Sequence, residues 1–272
     1  AASRVFLEKH VSKIEATAVR DPLFIGDIMD TEARHDSSRI NFAGLMQPEL
    51  KTEPNGPLWI WEEPREGAEY VVAVDPSSGK SVGDWTALQV IQVRGRKQVA
   101  EFWGTLEPLR TAEKAVLLSR YYNDAILSWE VNGVGHAVSL GVMQSEYWNL
   151  YQREQIESVS FDSRYGWATT ISTKPMMVAV GLEIVSSQLP VIRSSRLVTE
   201  IRSFMELTKR RVGGFSLVSG DENYKRVKVG APPGEHDDLV MAWLQAQAVC
   251  DLERGHSSRR DAPTSEEPPP RW

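Results

Sequence analysis

The stretch Tyr70-Val71-Val72-Ala73-Val74-Asp75 decides how this chain is read. An unbroken apolar run of this length reads as a strand buried on both faces, whose last residue emerges at the sheet edge. That last residue is Asp75, and an acidic group beside a core is expensive unless something uses it. The pattern recurs in Ala125-Ile126-Leu127-Ser128-Trp129-Glu130, a second apolar run ending on a carboxylate. A third acidic site, Asp237-Asp238, opens the apolar segment Leu239-Val240-Met241-Ala242-Trp243. Two strand ends and a helix start can converge on one point. Clustered carboxylates repel one another until a cation neutralises them. Hard divalent ions such as Mg²⁺ or Mn²⁺ prefer oxygen ligands. The expectation is a metal-dependent phosphoryl-transfer site built on Asp75, Glu130, Asp238 and Asp237.

Outward from that strand, 84–93 reads as a second strand, Gly95 as a turn and 98–103 as a third. Three strands on short turns predict an antiparallel meander. A helix follows at 112–122, a strand at 125–130, then helices at 134–148 and 176–187, with Pro175 suited to a first turn. A short strand is expected at 190–193 and a helix at 197–211. A hairpin pairs 214–218 with 224–229, and a last helix spans 237–252. Meander, then alternating helix and strand, is the chain order of an α/β, RNase H-like mixed sheet flanked by helices. Residues 1–57 read as a linker or wrapped extension, because 21–58 carries Pro22, Gly26, Gly44, Pro48, Pro54, Gly56 and Pro57. An ordinary N-terminal subdomain is the alternative. The RNase H-like domain is placed at 58–252. Residues 253–272, rich in Ser, Glu and Pro, read as a disordered tail.

Composition bounds the function. The 272 residues are 41% hydrophobic and 25% charged, enough for one good core. No segment approaches the roughly 18 consecutive apolar residues of a membrane span. The opening Ala1-Ala2-Ser3-Arg4 leads into a loose amphipathic pattern, not a signal peptide. A single cysteine, Cys250, excludes an internal disulfide and a cysteine-based zinc cluster, and fits a reducing compartment. The net charge of −6 argues against a wholly basic nucleic-acid binder. Local clusters remain: Lys209, Arg210 and Arg211, then Lys225, Arg226 and Lys228. They read either as a solvated helix end and exposed hairpin or as a DNA-backbone contact beside Asp237-Asp238. Gly79-Lys80-Ser81 mimics the end of a P-loop, but its first glycine should stand where Val74 does, so an ATP site is not expected. Asp84 is either a hairpin-end turn former or an outer metal ligand. Asp237 also reads as a helix N-cap.

Four motifs in order carry a resemblance. They are Val74-Asp75-Pro76 with Gly79 and Asp84, Trp129-Glu130-Val131-Asn132 with Gly135, Tyr165-Gly166-Trp167 with Thr169 and Lys174, and Gly234 to Ala242. Over about 58–250 the chain resembles the C-terminal nuclease domain of the large terminase subunit of tailed double-stranded DNA phages. The resemblance implies an RNase H/RuvC-like fold, two divalent metals (Mg²⁺ or Mn²⁺) and double-stranded DNA cleavage during packaging. It further implies 5′-phosphate and 3′-hydroxyl ends. A packaging ATPase domain, a portal and a small terminase are the implied partners, and the procapsid in the host-cell cytoplasm is the implied place. No G-x-x-x-x-G-K-[ST] occurs here, so the sequence reads as the nuclease part alone. Lys174, a cation in an unfavourable place at a helix start, is either a solvated lysine or a residue facing the acids or a phosphate. A Holliday-junction resolvase or ribonuclease of the same fold, and a DNA-gripping or motor-docking module with weak cleavage, are the alternatives.

Overall fold

The computed structural model describes residues 3–31, 46–80, 84–153, 164–207 and 228–260. Its centre is the run that opened the sequence. Strand β4 (Tyr70–Asp75) is buried along its whole apolar length, and only Asp75 at its end is partly exposed. The other elements in chain order are α1 (Glu8–Ala18), β1 (Phe24–Asp30), β2 (Pro48–Thr52), β3 (Leu58–Ile60), β5 (Thr86–Gln92), β6 (Lys97–Gly104), α2 (Pro108–Tyr121), β7 (Ile126–Trp129), α3 (Gly135–Gln144), α4 (Thr173–Ser187), α5 (Ser195–Ser203), β8 (Met205–Leu207), β9 (Lys228–Gly230) and α6 (Asp238–Arg260).

Seven strands form one sheet in the order β2-β1-β3-β6-β5-β4-β7, and β8 pairs with β9 apart from it. The β4-β5-β6 meander is antiparallel, as its short turns require. Strand β7 lies parallel to β4, reached through the α2 crossover. Pro108 sits in the first turn of α2, where its missing N–H costs nothing. Helices α2 and α3 cover one sheet face, with Leu88, Val90, Phe102, Val116, Leu118 and Trp129 in that core. Helices α1, α4, α5 and α6 cover the other, where Val71, Ala73, Ile91, Ile184, Leu197 and Trp243 pack. At roughly 1.5–3 kcal/mol per fully buried large apolar side chain, the two layers hold the sheet from both sides.

The structure redraws several sequence expectations. Residues 24–30 and 48–52, expected to be irregular, are strands that extend the sheet beyond the boundary at residue 58. The expected strand at 190–193 is no strand; Val191 carbonyl accepts one bond from Gln98 N–H (2.9 Å) and the chain turns into α5. Helix α5 stops at Ser203, not 211, because Met205–Leu207 pair with β9. The hairpin expected over 214–229 lies outside the described residues except for Lys228 and Val229 in β9. Helix α6 runs past residue 252 to Arg260, into the stretch read as a tail, and no proline interrupts it.

Candidate active site

Register places the first two carboxylates side by side. Val74 faces Trp129 across the parallel β4–β7 pair, and Glu130 N–H donates to Val74 carbonyl at 2.9 Å. Asp75 and Glu130 are therefore the next residues of neighbouring strands, both at the carboxyl end of the sheet. The chain then closes tightly behind Glu130: a Cβ on Gly135 would stand 1.8 Å from Glu130 carbonyl, so only glycine lets α3 start there. Asn132 Nδ2 reaches Glu130 Oε1 at 3.2 Å and Thr169 carbonyl at 2.7 Å. Trp167 N–H and carbonyl bond Trp129 carbonyl and Val131 N–H, at 2.7 and 2.8 Å. The Tyr165-Gly166-Trp167 segment thus splints the strand end that carries Glu130.

Helix α6 delivers the third acid. Asp238 is its first residue and Asp237 precedes it. Asp237 Oδ2 accepts from Ala231 N–H at 3.2 Å, and its carbonyl accepts from Met241 N–H at 2.8 Å in the first turn of the helix. Asp238 Oδ2 is buried with no hydrogen-bond partner among the described residues, and His236 Nδ1 stands 3.6 Å away. Burial, then Asp237, pushes Asp238 up to about 6, with His236 opposing. Asp75 is pushed well above the usual carboxylate range by burial, then by Glu130, Asp238, Asp237 and Glu200. The four expected acids therefore share one end of the sheet, and Asp75 feels the charge of the other three. Asp84 belongs to the same neighbourhood, because it too raises Asp238; Ser78 Oγ holds its Oδ2.

Glu200 is the acid that the motifs did not reveal. It lies on α5, is 7% exposed, and is pushed up to about 8, chiefly by burial. Its Oε2 accepts from Val240 N–H at 3.1 Å, tying α5 to the first turn of α6, while Oε1 has no partner among the described residues. The signal was present in spacing: Leu197, Glu200, Ile201 and Phe204 share one helical stripe, so Glu200 sits on the apolar face.

Lys174 is half-buried in the first turn of α4 and makes no ion pair among the described residues. Lys228 is exposed at the start of β9. Lys209, Arg210, Arg211, Lys225 and Arg226 lie outside the described residues. No helix among the described residues is long and apolar enough to cross a membrane.

Among the described residues, no three His, Cys, Asp or Glu side chains stand arranged to hold a metal ion as placed. The chemistry of the donor set nevertheless fits a hard divalent cation. It is all carboxylate oxygen, Asp238 Oδ2 is buried and without a hydrogen-bond partner among the described residues, and Asp75 is pushed up by burial and by the carboxylates around it, Glu130 first. A cation removes all of these costs together.

No family model and no curated protein matches the chain. Solved structures do. The large terminase nuclease of thermophilic phage G20c matches with a TM-score of 0.55 and 12% identity, over 88% of this chain and 97% of that one. The same nuclease with bound magnesium matches at 0.55 and 15%, over 91% and 98%. With bound cobalt the values are 0.56 and 14%, over 91% and 98%. The chain has the RNase H-like fold of a large terminase nuclease.

Proposed function

We propose that this chain is a metal-dependent endonuclease that cuts double-stranded viral DNA during genome packaging. The observation that carries the reading is the delivery of Asp75, Glu130 and Asp238 by three different elements to one end of the sheet, where burial and then the neighbouring carboxylates, Glu130 first, disfavour the charge on Asp75. A fold has no structural use for such repulsion. It is the price of a site that waits for cations.

Asp75, Glu130 and Asp238 would hold two divalent ions, Mg²⁺ or Mn²⁺, with Asp237 and Asp84 adjoining. The ions, when bound, supply Lewis acidity toward the scissile phosphate and lower the pKa of the attacking water. The protein's own part is positioning. Asn132 orients Glu130, Ser78 orients Asp84, and Ala231 N–H orients Asp237. Lys228 stands near this end through β9, whose Gly230 lies against Asp237 Oδ2. With Lys209, Arg210, Arg211, Lys225 and Arg226 it would hold DNA phosphates, and Lys174 would serve the same cleft. A packaging ATPase domain, a portal and a small terminase are the proposed partners, on a procapsid in the host cytoplasm.

The test is plasmid cleavage with Mn²⁺ against an EDTA control, run beside RNA–DNA hybrid and four-way-junction substrates. Metal-dependent cutting of duplex DNA that disappears in Asp75→Asn is the expected result. Cutting of only the hybrid or only the junction would transfer the site to a ribonuclease or a resolvase. Binding of DNA without any cutting would make the chain a gripping module.

A further inference from the structure

Beside the carboxylates, on the α6 face of the sheet, stands a ladder of aromatic rings that the proposed chemistry leaves unused. Trp85 stacks on Trp103 with ring centroids 4.5 Å apart and planes 26° from parallel. Arg196 follows, its guanidinium 5.6 Å from the Trp103 ring centre and 3.7 Å above Trp59. All four side chains are half-buried, so one edge of each meets solvent. Arg196 is oriented by Glu101 Oε1 (2.9 Å), which fixes the plane on which the ladder turns. Trp85 is its open end: one face lies on Trp103, and no second ring or cation stacks on it among the described residues.

The ladder is continuous with the candidate active site. Asp75 pairs with Ala87 and Ala87 with Trp103, so Trp103 is two strands from Asp75 on the same face. At about 4.8 Å per strand the separation is roughly 10 Å, or about three nucleotides at the 3.4 Å rise of a B-form strand. Trp85 directly follows Asp84, whose charge already acts on Asp238.

We propose that Trp85, backed by Trp103 and Arg196, is a stacking platform for an unpaired nucleobase of the DNA strand that crosses the carboxylates. The proposal rests on the DNA reading above and deepens it: the preferred substrate is DNA opened beside the cut. A base inside intact duplex has no free face to offer, whereas an unpaired base stacks on an aromatic ring whatever its sequence. A mere packing role for Trp85 would leave DNA binding untouched.

The probe pair is a blunt duplex and the same duplex with a short single-stranded overhang, titrated against Asp75→Asn protein so that the DNA stays whole. Adding Trp85→Leu, which keeps an apolar contact on Trp103, should weaken overhang binding by about fivefold or more and leave the blunt duplex unchanged. Adding Trp85→Phe should keep overhang affinity within about twofold, because a ring remains. Equal overhang affinity for Leu and parent, or an equal loss on blunt duplex, overturns the platform. Mn²⁺-induced melting shift and plasmid cleavage report separately on the carboxylates. If those persist while Trp85→Leu binds overhangs normally, the platform falls and the nuclease reading stands. If wild type shows neither shift nor cleavage while Trp85 still discriminates overhangs, the nuclease reading falls instead.

Discussion

Replacing Arg196 by Met should destabilise the protein by about 2–4 kcal/mol. Glu101 is fully buried in β6, and Arg196 is its cation, at 2.9 Å. Three neutral donors complete the arrangement: Gln89 Nε2 at 2.9 Å, Gln98 Nε2 at 3.2 Å and Ser194 Oγ at 2.9 Å. Removing one partner of a buried pair strands the other charge, at a cost of about 3–5 kcal/mol. The three surviving donors soften that figure, and the lost stacking over Trp59 adds about 0.5–1 kcal/mol. For a domain of this size each kcal/mol moves Tm by about 2–4 °C, so the drop should fall between about 4 and 16 °C. Differential scanning calorimetry in EDTA measures it without interference from metal. The second arm is Glu101→Gln added to Arg196→Met, which removes the stranded charge and should recover part of the loss. A drop under about 0.5 kcal/mol, or a double variant no better than the single one, would refute the claim that Arg196 is there to neutralise Glu101.

Three further outcomes follow from the same structure. Asp75→Asn should abolish Mn²⁺-dependent plasmid cleavage while leaving the metal-free protein at least as stable, since one repelling charge is gone; nicking at the wild-type rate would remove Asp75 from the site. Wild type at a Mn²⁺ concentration about 100 times its dissociation constant should gain about 2.7 kcal/mol, and the Asp75, Glu130 and Asp238 triple variant should gain little. In EDTA, Glu200 adds stability below its ordinary carboxylate range and loses it as pH rises through about 8. Urea midpoints should therefore fall between pH 5 and 8, and Glu200→Gln should flatten the fall; a wild-type midpoint that rises over that window contradicts the assignment.

What the sequence made legible follows from how much each element depends on its neighbours. Strands β4 and β7 announce themselves because both faces are buried and their apolar runs are unbroken, and their terminal acids stand out for the same reason. Strand β1 is Phe24-Ile25-Gly26-Asp27-Ile28-Met29-Asp30, whose glycine and two aspartates suppress any periodic signal. Its pairing with β3 comes from the sheet edge rather than from local preference. The run after Ser203 carries good helix formers, yet a three-residue ladder with β9 wins once that strand is at hand. Among the acids, two adjacent aspartates at a helix start already favour Asp238 over Asp237 as the ligand, and the fold adds the contrast that Ala231 N–H bonds Asp237 Oδ2 while Asp238 Oδ2 has no hydrogen-bond partner among the described residues.

The parallel β4–β7 register has a consequence for how such a site can be tuned. Asp75 and Glu130 are one hydrogen bond apart through the backbone, and a slip of a single residue would turn Glu130 to the opposite face of the sheet. Their spacing is a fixed jaw, insensitive to the length of the α2 crossover or to sequence drift within it. Asp238 belongs to a different piece of chain, and the loop from Ala231 to His236 sets where it stands. Gly234 there has φ of 89°, a conformation that other residues rarely take. Any adjustment of gap between the two sides, for an ion of different radius or a strand of different width, falls to that loop. Lineages of this fold that differ in metal preference should differ there first, and least in the strands.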